Sequence, residues 1–457
     1  LKVNNSKAGK SRRARPDAAR LTAFQLLRAV WADGAYANLV MPRLIAANQL
    51  EPRDAAFAVE LGYGTLRMQG QYDAILATLV NRPLEQLDPP LRDVLRLGAH
   101  QILQMRVPDH AAVNSTVELA RHGAGEASAT LVNAVLRKVA KHSAAEWIES
   151  IAPIRSTPLV ERLSIEYSHP AWIISAYRER IADESELREV LTANNLPATL
   201  TLVARPGRCS VDELLAQGAK PGRLSPYAVT WEGDPGILKE VRSGDAGVQD
   251  EGSQLVAIAL TRYGAAQPAE KWLDLCAGPG GKAALLGAIA VASGATLLAN
   301  EISEHRAQLV RNMVRDDVEV LVSDGTNPSW PANSFDRVLA DVPCTGLGAL
   351  RRRPEARWRK SPRDIAALRP LQLALFESAY KSLKPGGVMA YVTCSPHLAE
   401  TEILVQEGMK RVGGDLLDAR DLFAGVPSLG SSKMVQLWPH RHQTDAMFFA
   451  LIQRPVG

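Results

Sequence analysis

From Pro16 to about Ser143 apolar residues recur at helical spacing. Leu21, Phe24, Leu27 and Val30 form one stripe, and Val94, Leu95, Gly98, Ile102 and Leu103 form another. Val113, Val117 and Ala120, then Val132, Val135, Leu136 and Val139, give two more. Such stripes belong to helices with one buried face. Breaks fall at Asp33-Gly34, Asn81-Arg82-Pro83, Asp88-Pro89-Pro90, Pro108-Asp109 and His122-Gly123. The pattern predicts a compact all-α bundle with its own core. No nucleophile, base and orienting group stand together in it, which points to binding or docking.

Residues 145–247 lose that period. Ser168-His169-Pro170 reads as the start of a helix ahead of Trp172, Ile173 and Ile174, with His169 in a structural role. The stretch 200–206 has strand character, and Gly207, Gly218, Gly222, Gly233 and Gly236 mark loops. A small α+β module is expected. From Val248 short apolar runs at 272–275, 295–299, 318–322, 337–340 and 388–392 alternate with helical stretches. That alternation predicts a doubly wound α/β sheet. A last run, 446–452, adds a strand at the sheet edge or beside it.

Length agrees with several domains, since 457 residues exceed what one ordinary core serves. Hydrophobic content of 46% and charged content of 22% are those of a soluble globular chain. A net charge of +4 excludes a uniformly basic nucleic-acid binder, so basic residues count only where they cluster. One cluster is Lys2, Lys7, Lys10, Arg12, Arg13 and Arg15, a flexible tail over 1–16 suited to a phosphate backbone or simply solvated. The cysteines at 209, 276, 344 and 394 are too scattered for a disulfide framework, and no C-x-x-C suggests zinc. The uncharged run between Lys282 and Glu301 is long enough to test as a membrane span. Its Ala and Gly content and its Ser293-Gly294 turn make it a buried helix followed by a buried strand. The expectation is a cytoplasmic monomer with reduced thiols, no membrane segment and no metal.

The chemistry gathers around Leu273-Asp-Leu-Cys-Ala-Gly-Pro-Gly-Gly-Lys282. A strand, a tight loop and a helix follow one another there. Gly278, Gly280 and Gly281 let a ligand approach the backbone, Pro279 stiffens the turn, and the first helix amides face the crevice with partial positive charge. Neither the dinucleotide fingerprint nor the P-loop pattern is present. Glu301 follows the next strand, where an open α/β sheet places an acid on ribose hydroxyls. Loop and acid together fit an adenosine-like cofactor without a pyrophosphate, such as S-adenosylmethionine.

Ligands of such sheets lie beyond the carboxyl ends of the strands. The next strands are followed by Asp324, by Asp341-Val-Pro-Cys344 and by Thr393-Cys394-Ser-Pro396. Acids and thiols thus converge on one rim. A free Cys is often only a small buried hydrophobe, but Cys344 and Cys394 both sit in small-residue turns beside Pro. A thiol has a reference pKa near 8.5, so the site must lower it to hold much thiolate at neutral pH. A soft nucleophile beside a methyl donor suits cytosine carbon 5, which becomes enamine-like once a thiolate adds to carbon 6.

Asp274–Lys282, Asp341-Val-Pro-Cys-Thr-Gly346 and Tyr391-Val-Thr-Cys-Ser-Pro396 resemble the motifs of the RNA cytosine-5 methyltransferases. With a helical N-terminal part that looks NusB-like, nearly the whole chain is similar to the bacterial ribosomal RNA small-subunit methyltransferase B family. The resemblance implies Cys394 as the nucleophile on carbon 6 and Cys344 as the cysteine that assists release. It implies a cofactor site made of Cys276, Ala277, Gly278, Pro279, Gly280, Gly281 and Lys282, with Glu301 on the ribose, Asp324 near the adenine and Asp341 beside the methionine end and the target base. The cofactor implied is S-adenosylmethionine and the partner is 16S ribosomal RNA.

The implied layout is a tail over 1–16, a NusB-like RNA-binding domain over 17–144, an α+β module over 145–247 and an S-adenosylmethionine-dependent methyltransferase domain over 248–457. Cys-Ala-Gly-Pro stands where Cys-Ala-Ala-Pro is commoner, and Thr444-Asp-Ala-Met-Phe-Phe449 departs from Thr-Asp-Gly-Phe-Phe. Val248-Gln-Asp-Glu-Gly-Ser-Gln254 resembles the family's Gln-Asp-x-x-Ser opening of the domain. The basic run Arg351-Arg352-Arg353 with Arg357, Trp358, Arg359 and Lys360 follows the Pro-Cys motif and reads as a phosphate contact or a solvated face. Two other readings stay open: a transfer-RNA or DNA cytosine methyltransferase, and a non-catalytic RNA-binding factor led by the helical part.

Overall fold

The computed structural model of the chain describes residues 16–456. The basic residues of the predicted tail, Lys2 to Arg15, lie outside the described residues. The described chain divides into two compact units, one ending at Ala171 and including Arg353–Glu355, the other holding the rest from Trp172.

The first unit is helical: α1 (Ala18–Ala32), α2 (Ala37–Ala47), α3 (Pro52–Ala77), α4 (Pro89–Leu103), α5 (Asp109–Gly123), α6 (Glu126–Val139), α7 (Ala144–Ile151) and α8 (Leu159–Glu166). The Asp17 side chain caps α1 through the Arg20 amide at 2.8 Å. Pro52 and Pro89–Pro90 open α3 and α4, where a missing N–H costs nothing. The predicted stripes become the buried faces of α1, α4, α5 and α6. They pack around α3, whose Leu61, Leu66, Tyr72 and Ile75 complete the core. Residues 145–171, read from the sequence as the start of the mixed module, form α7 and α8, and both helices pack on α3.

The second unit opens with α9 (Ala171–Arg178) and α10 (Glu184–Asn195). A small antiparallel sheet follows, made of β1 (Thr201–Ala204), β2 (Lys220–Pro221), β3 (Ala228–Thr230) and β4 (Ala246–Val248) in the order β2-β3-β1-β4. With α11 (Val211–Ala216) and α12 (Lys239–Arg242) it encloses Leu202, Cys209, Leu214 and Val229.

The main sheet is interleaved with α13 (Glu251–Arg262), α14 (Gly281–Ala292), α15 (Glu304–Met313), α16 (Ala356–Arg359), α17 (Pro362–Ser382), α18 (Glu402–Val412) and α19 (Pro439–His442). Its strands are β5 (Lys271–Asp274), β6 (Thr296–Glu301), β7 (Val318–Val322), β8 (Phe335–Asp341), β9 (Leu383–Thr393), β10 (Asp415–Leu417), β11 (Val435–Gln436) and β12 (Phe448–Gln453). The order is β10-β12-β9-β8-β5-β6-β7, with β11 also paired to β12. Strands β9, β8, β5, β6 and β7 run parallel, whereas β12 is antiparallel to both β9 and β10. The predicted last strand is therefore inside the sheet, with β10 as the edge beyond it. Both faces are covered. On β9, Val388, Ala390 and Val392 point to the side of α13, α14 and α15, and Met389 and Tyr391 to that of α17 and α18. A sheet buried on both faces explains why its strands read as apolar runs without alternation. Strand β9 starts at Leu383, ahead of the predicted 388, across a register irregularity between Phe335 and Arg337.

Candidate active site

The carboxyl ends of β5, β6, β8 and β9 deliver Asp274, Glu301, Asp341 and Cys394 to one rim. Strand β5 is flanked by β6 and β8, so the chain reverses its direction of winding there, the switch point at which sheets of this kind bind ligands.

The loop from Cys276 to Gly281 is built around two close approaches. A Cβ on Gly278 would meet Glu301 Oε2 at 2.3 Å. Gly280 has φ +118, and its missing side chain leaves room for Val310 of α15 at 3.1 Å. The Gly278–Pro279 bond is cis. Buried Glu301 accepts from the Gly278 amide through Oε2 and from the Ser303 amide through Oε1, both at 3.1 Å. Each oxygen keeps further acceptor capacity for a diol. Arg306 donates to the Gly278 carbonyl at 2.5 Å and lies 3.5 Å from Glu301. The Ala277 amide bonds the Asn300 carbonyl at 2.8 Å, which ties the loop to β6.

Asp324 stands past β7, at the outer edge of the parallel strands. It is exposed, and the Thr326 amide and hydroxyl hold its carboxyl below the usual carboxylate range. Cys276 is half-buried in the loop, and burial pushes its thiol well up.

At the centre, Lys282 Nζ meets Asp341 Oδ2 at 2.8 Å. Burial pulls the ammonium down, but Asp341 outweighs it and holds Lys282 above the ordinary lysine value. Asp274 lies 1% exposed beside this pair. Among the described residues, neither of its oxygens meets a donor in hydrogen-bond geometry. Burial and the Asp341 charge, against the pull of Lys282 and of the nearby Cys276 amide, push its carboxyl up to about 7.

The two thiols come together across fifty residues of sequence, with Cys344 Sγ and Cys394 Sγ 3.3 Å apart. They are not equivalent. Either sulfur can donate in this contact; with Cys344 as donor it lowers Cys394 against the cost of burial, with Lys282 helping and Asp341 and Asp445 opposing. The same bond, then burial, then the charge of Cys394 and after it that of Glu400 push Cys344 well up. Cys394 is the sulfur that is lowered, chiefly by the hydrogen bond, with Lys282 offsetting part of the charge of Asp341 and Asp445.

The basic run after the Pro-Cys motif is largely spent inside the protein. Arg352 bonds Asp250 at 2.5 Å and Asp445 at 3.1 Å, and the Asp445 amide donates to Asp250 at 3.0 Å. Arg351 donates to the Gln443 carbonyl at 2.7 Å, and buried Arg357 donates to Asn195 at 2.8 Å. These arginines lock together segments that the sequence shows far apart: Gln249-Asp250, the Pro-Cys loop and Thr444-Asp445. Arg353 is exposed, and Arg359 and Lys360 are half-exposed. Sequence reasoning missed Asp274, Glu400 and Ile302. Asp274 sits inside the glycine motif and could have been weighed with it. Ile302 follows Glu301 and is 65% exposed, an apolar residue left uncovered beside that acid. Among the described residues no cluster could hold a metal ion, and no helix is long and apolar enough to cross a membrane.

Comparison with known proteins gives two matching families. Residues 263–453 match the family described as 16S rRNA methyltransferase RsmB/F, and residues 17–141 match the NusB family. A candidate methyltransferase of Mycobacterium tuberculosis, Rv1407, is 48% identical over 97% of this chain and 98% of its own length. The ribosomal RNA small subunit methyltransferase B of Vibrio cholerae is 30% identical over 90% of this chain and 92% of its own. Among solved structures, that of PH0851 superposes with a TM-score of 0.79 at 21% identity, covering 96% of this chain and 99% of the other, a likeness of fold.

Proposed function

We propose that this chain, which belongs to the 16S rRNA methyltransferase RsmB/F family and carries a NusB-family domain, methylates carbon 5 of a cytosine in 16S ribosomal RNA through a covalent cysteine–carbon 6 adduct. The observation that carries the reading is the pair of unequal thiols 3.3 Å apart beside the Lys282–Asp341 ion pair.

The cofactor proposed is S-adenosylmethionine, which supplies the methyl group when bound. The crevice suits it: Gly278 leaves the space a side chain would fill, Glu301 has spare acceptor capacity for ribose hydroxyls, and Asp274 has two buried oxygens without donors. A cationic ammonium is the partner that would satisfy Asp274. Cys276, Ala277, Pro279, Gly280, Gly281 and Lys282 line the loop, and Asp324 would face the adenine. Asp341, already paired to Lys282, would orient the base.

In the proposed reaction the Cys394 thiolate adds to carbon 6, and the carbon 5–carbon 6 π electrons move toward carbon 5 so that carbon 5 takes the methyl group. Water then takes the carbon 5 proton, and the electron pair of that carbon–hydrogen bond restores the double bond as sulfur departs. The sulfur–carbon bond breaks and its electron pair returns to Cys394, where the S–H of Cys344 stabilises the leaving thiolate. The target base has to leave its stack to reach this rim. The helical unit, with the tail before it, would hold the RNA.

Labelled RNA and S-adenosylmethionine on a denaturing gel test this. Cys394→Ala should form no adduct and lose methyl transfer by about 10⁴-fold or more. Cys344→Ala should still be attacked and methylate, but adducts should accumulate because release is impaired. An adduct with Cys394→Ala and none with Cys344→Ala would reverse the roles. Full activity in both variants would remove the thiol mechanism. Bisulfite sequencing of cellular RNA with and without the gene assigns the target, and a missing mark in transfer RNA with intact 16S RNA would overturn the ribosomal substrate.

A further inference from the structure

Next to the thiol pair lies a buried acid that belongs to neither cysteine motif. Glu400 is fully buried. Its Oε1 accepts from the Thr345 amide at 2.8 Å and from Gln372 Nε2 at 3.2 Å. Its Oε2 accepts from the Thr345 hydroxyl at 2.5 Å and from the Ser395 hydroxyl at 2.7 Å. Its backbone carbonyl accepts from the Tyr391 hydroxyl at 3.0 Å. Thr345 directly follows Cys344, and Ser395 directly follows Cys394. One carboxyl group therefore grips the residue after each cysteine. N–H donors on one oxygen and hydroxyls free to turn toward the other are the surroundings an ionised carboxylate requires. Gln372 extends the clamp, since Nε2 also donates to the Pro343 carbonyl at 2.8 Å, directly before Cys344.

We propose that Glu400 is the positioning residue of the thiol pair: its carboxylate holds the two cysteine loops so that the sulfurs stay 3.3 Å apart, and its negative charge, placed on the Cys344 side, leaves Cys394 as the sulfur that attacks. The proposal rests on the reading of these thiols as nucleophile and partner. The charges around the two sulfurs support it. Cys344 faces Glu400, Cys394, the Tyr391 hydroxyl group and the Gly346 amide. Cys394 faces Cys344, Lys282, Asp341 and Asp445. Among the described residues Cys344 has an anion and no cation beside it, whereas beside Cys394 the Lys282 ammonium offsets part of the charge of Asp341 and Asp445, and this separates two residues of identical chemistry. Loop geometry and charge thus come from the same side chain.

The test uses the full chain, first without cofactor or RNA. Iodoacetamide labelling at a series of pH values, read for each cysteine by mass spectrometry, should show Cys394 reacting at lower pH than Cys344. Glu400→Gln removes the charge at nearly constant size. It should move the Cys344 profile to lower pH and narrow the gap. It should also lower kcat roughly 100-fold, the scale of a small misplacement of reacting atoms, with KM for RNA and cofactor affinity unchanged. Ser395→Ala cuts one grip and keeps the charge, so kcat should fall less, by roughly tenfold, while Cys394 still reacts first.

An unchanged gap in Glu400→Gln, or an unchanged kcat in Ser395→Ala, would overturn the proposal. The second variant decides alone if the first does not fold. If the wild-type chain methylates no cytosine, the functional reading fails, and the labelling gap still judges the clamp.

Discussion

In the helical unit Asp93 is buried between Arg28 at 2.8 Å and Arg96 at 3.4 Å, and Arg96 reaches on to Asp73 at 2.7 Å. In the second unit Asp274 is just as deeply buried, and among the described residues neither oxygen meets a donor in hydrogen-bond geometry, the Cys276 amide being only nearby. The first carboxyl group is completed by its own fold. The second is left for something else to complete. Buried polar groups without partners are few in folded proteins and each needs a reason. The contrast separates a scaffold, whose charges close on one another, from a rim that leaves one buried acid without a partner. Asp274 keeps its open oxygens although the closed Lys282–Asp341 pair lies beside it, and among the described residues no comparable open acid lies within the Asp93 network.

The largest effect expected from breaking this contrast is at the closed network. Asp93→Ala leaves two guanidinium groups without their shared acceptor, Arg96 in a buried position. Removing one partner of a buried ion pair costs about 3 kcal/mol. Thermal or denaturant unfolding should show that loss in the transition of the helical unit, while calorimetry should find cofactor affinity unchanged. A loss of cofactor affinity of the same size would mean that the two regions are not energetically separate.

An intermediate effect is expected at the rim. Glu301→Ala removes the proposed ribose acceptor and frees the Gly278 and Ser303 amides it holds. Hydrogen bonds to a charged group are worth about 1.5–3 kcal/mol, so affinity for S-adenosylmethionine should fall by roughly 10- to 100-fold. Calorimetry on the full chain measures it. Unchanged affinity would take Glu301 out of the site.

Much of this architecture is legible in the amino-acid sequence alone, for a physical reason. The helical stripes, the apolar strand runs and the glycine loop are local patterns, and burial imposes them on residues close in sequence. The rim is legible because strand ends in an open α/β sheet converge by topology, so each loop after a strand names a candidate. What stays hidden depends on partners far apart. Arg352 reads as a phosphate contact because its acids, Asp250 and Asp445, lie 102 and 93 residues away. Glu400 is one acid in a helix-like stretch until Thr345, 55 residues earlier, is seen to bond it. Asp274 is visible within its motif, but no spacing tells that a carboxyl group lacks donors. The order of β12 and β10 also escapes, since antiparallel additions to a parallel sheet follow no crossover rule.

The smallest expected effect sharpens the comparison most, because it has the opposite sign to that of Asp93. Unfolded, Asp274 gives up its proton near pH 3.9; folded, it holds it up to about 7. Between these values the folded state binds more protons than the unfolded state, so stability falls as pH rises. The contribution of this group is therefore fully present below about pH 4 and is lost as pH passes through about 7. Asp274→Asn has nearly the same shape and no charge to bury. At acid pH it should unfold like the wild type. Above neutral pH it should be more stable than the wild type, since it has no charge to bury. The same variant should bind S-adenosylmethionine more weakly, since an amide cannot replace a carboxylate facing an ammonium group. Melting curves at acid and alkaline pH, with calorimetry on the same samples, decide it. A variant less stable than the wild type at alkaline pH would mean that Asp274 has a partner within the fold, and the contrast with Asp93 would disappear.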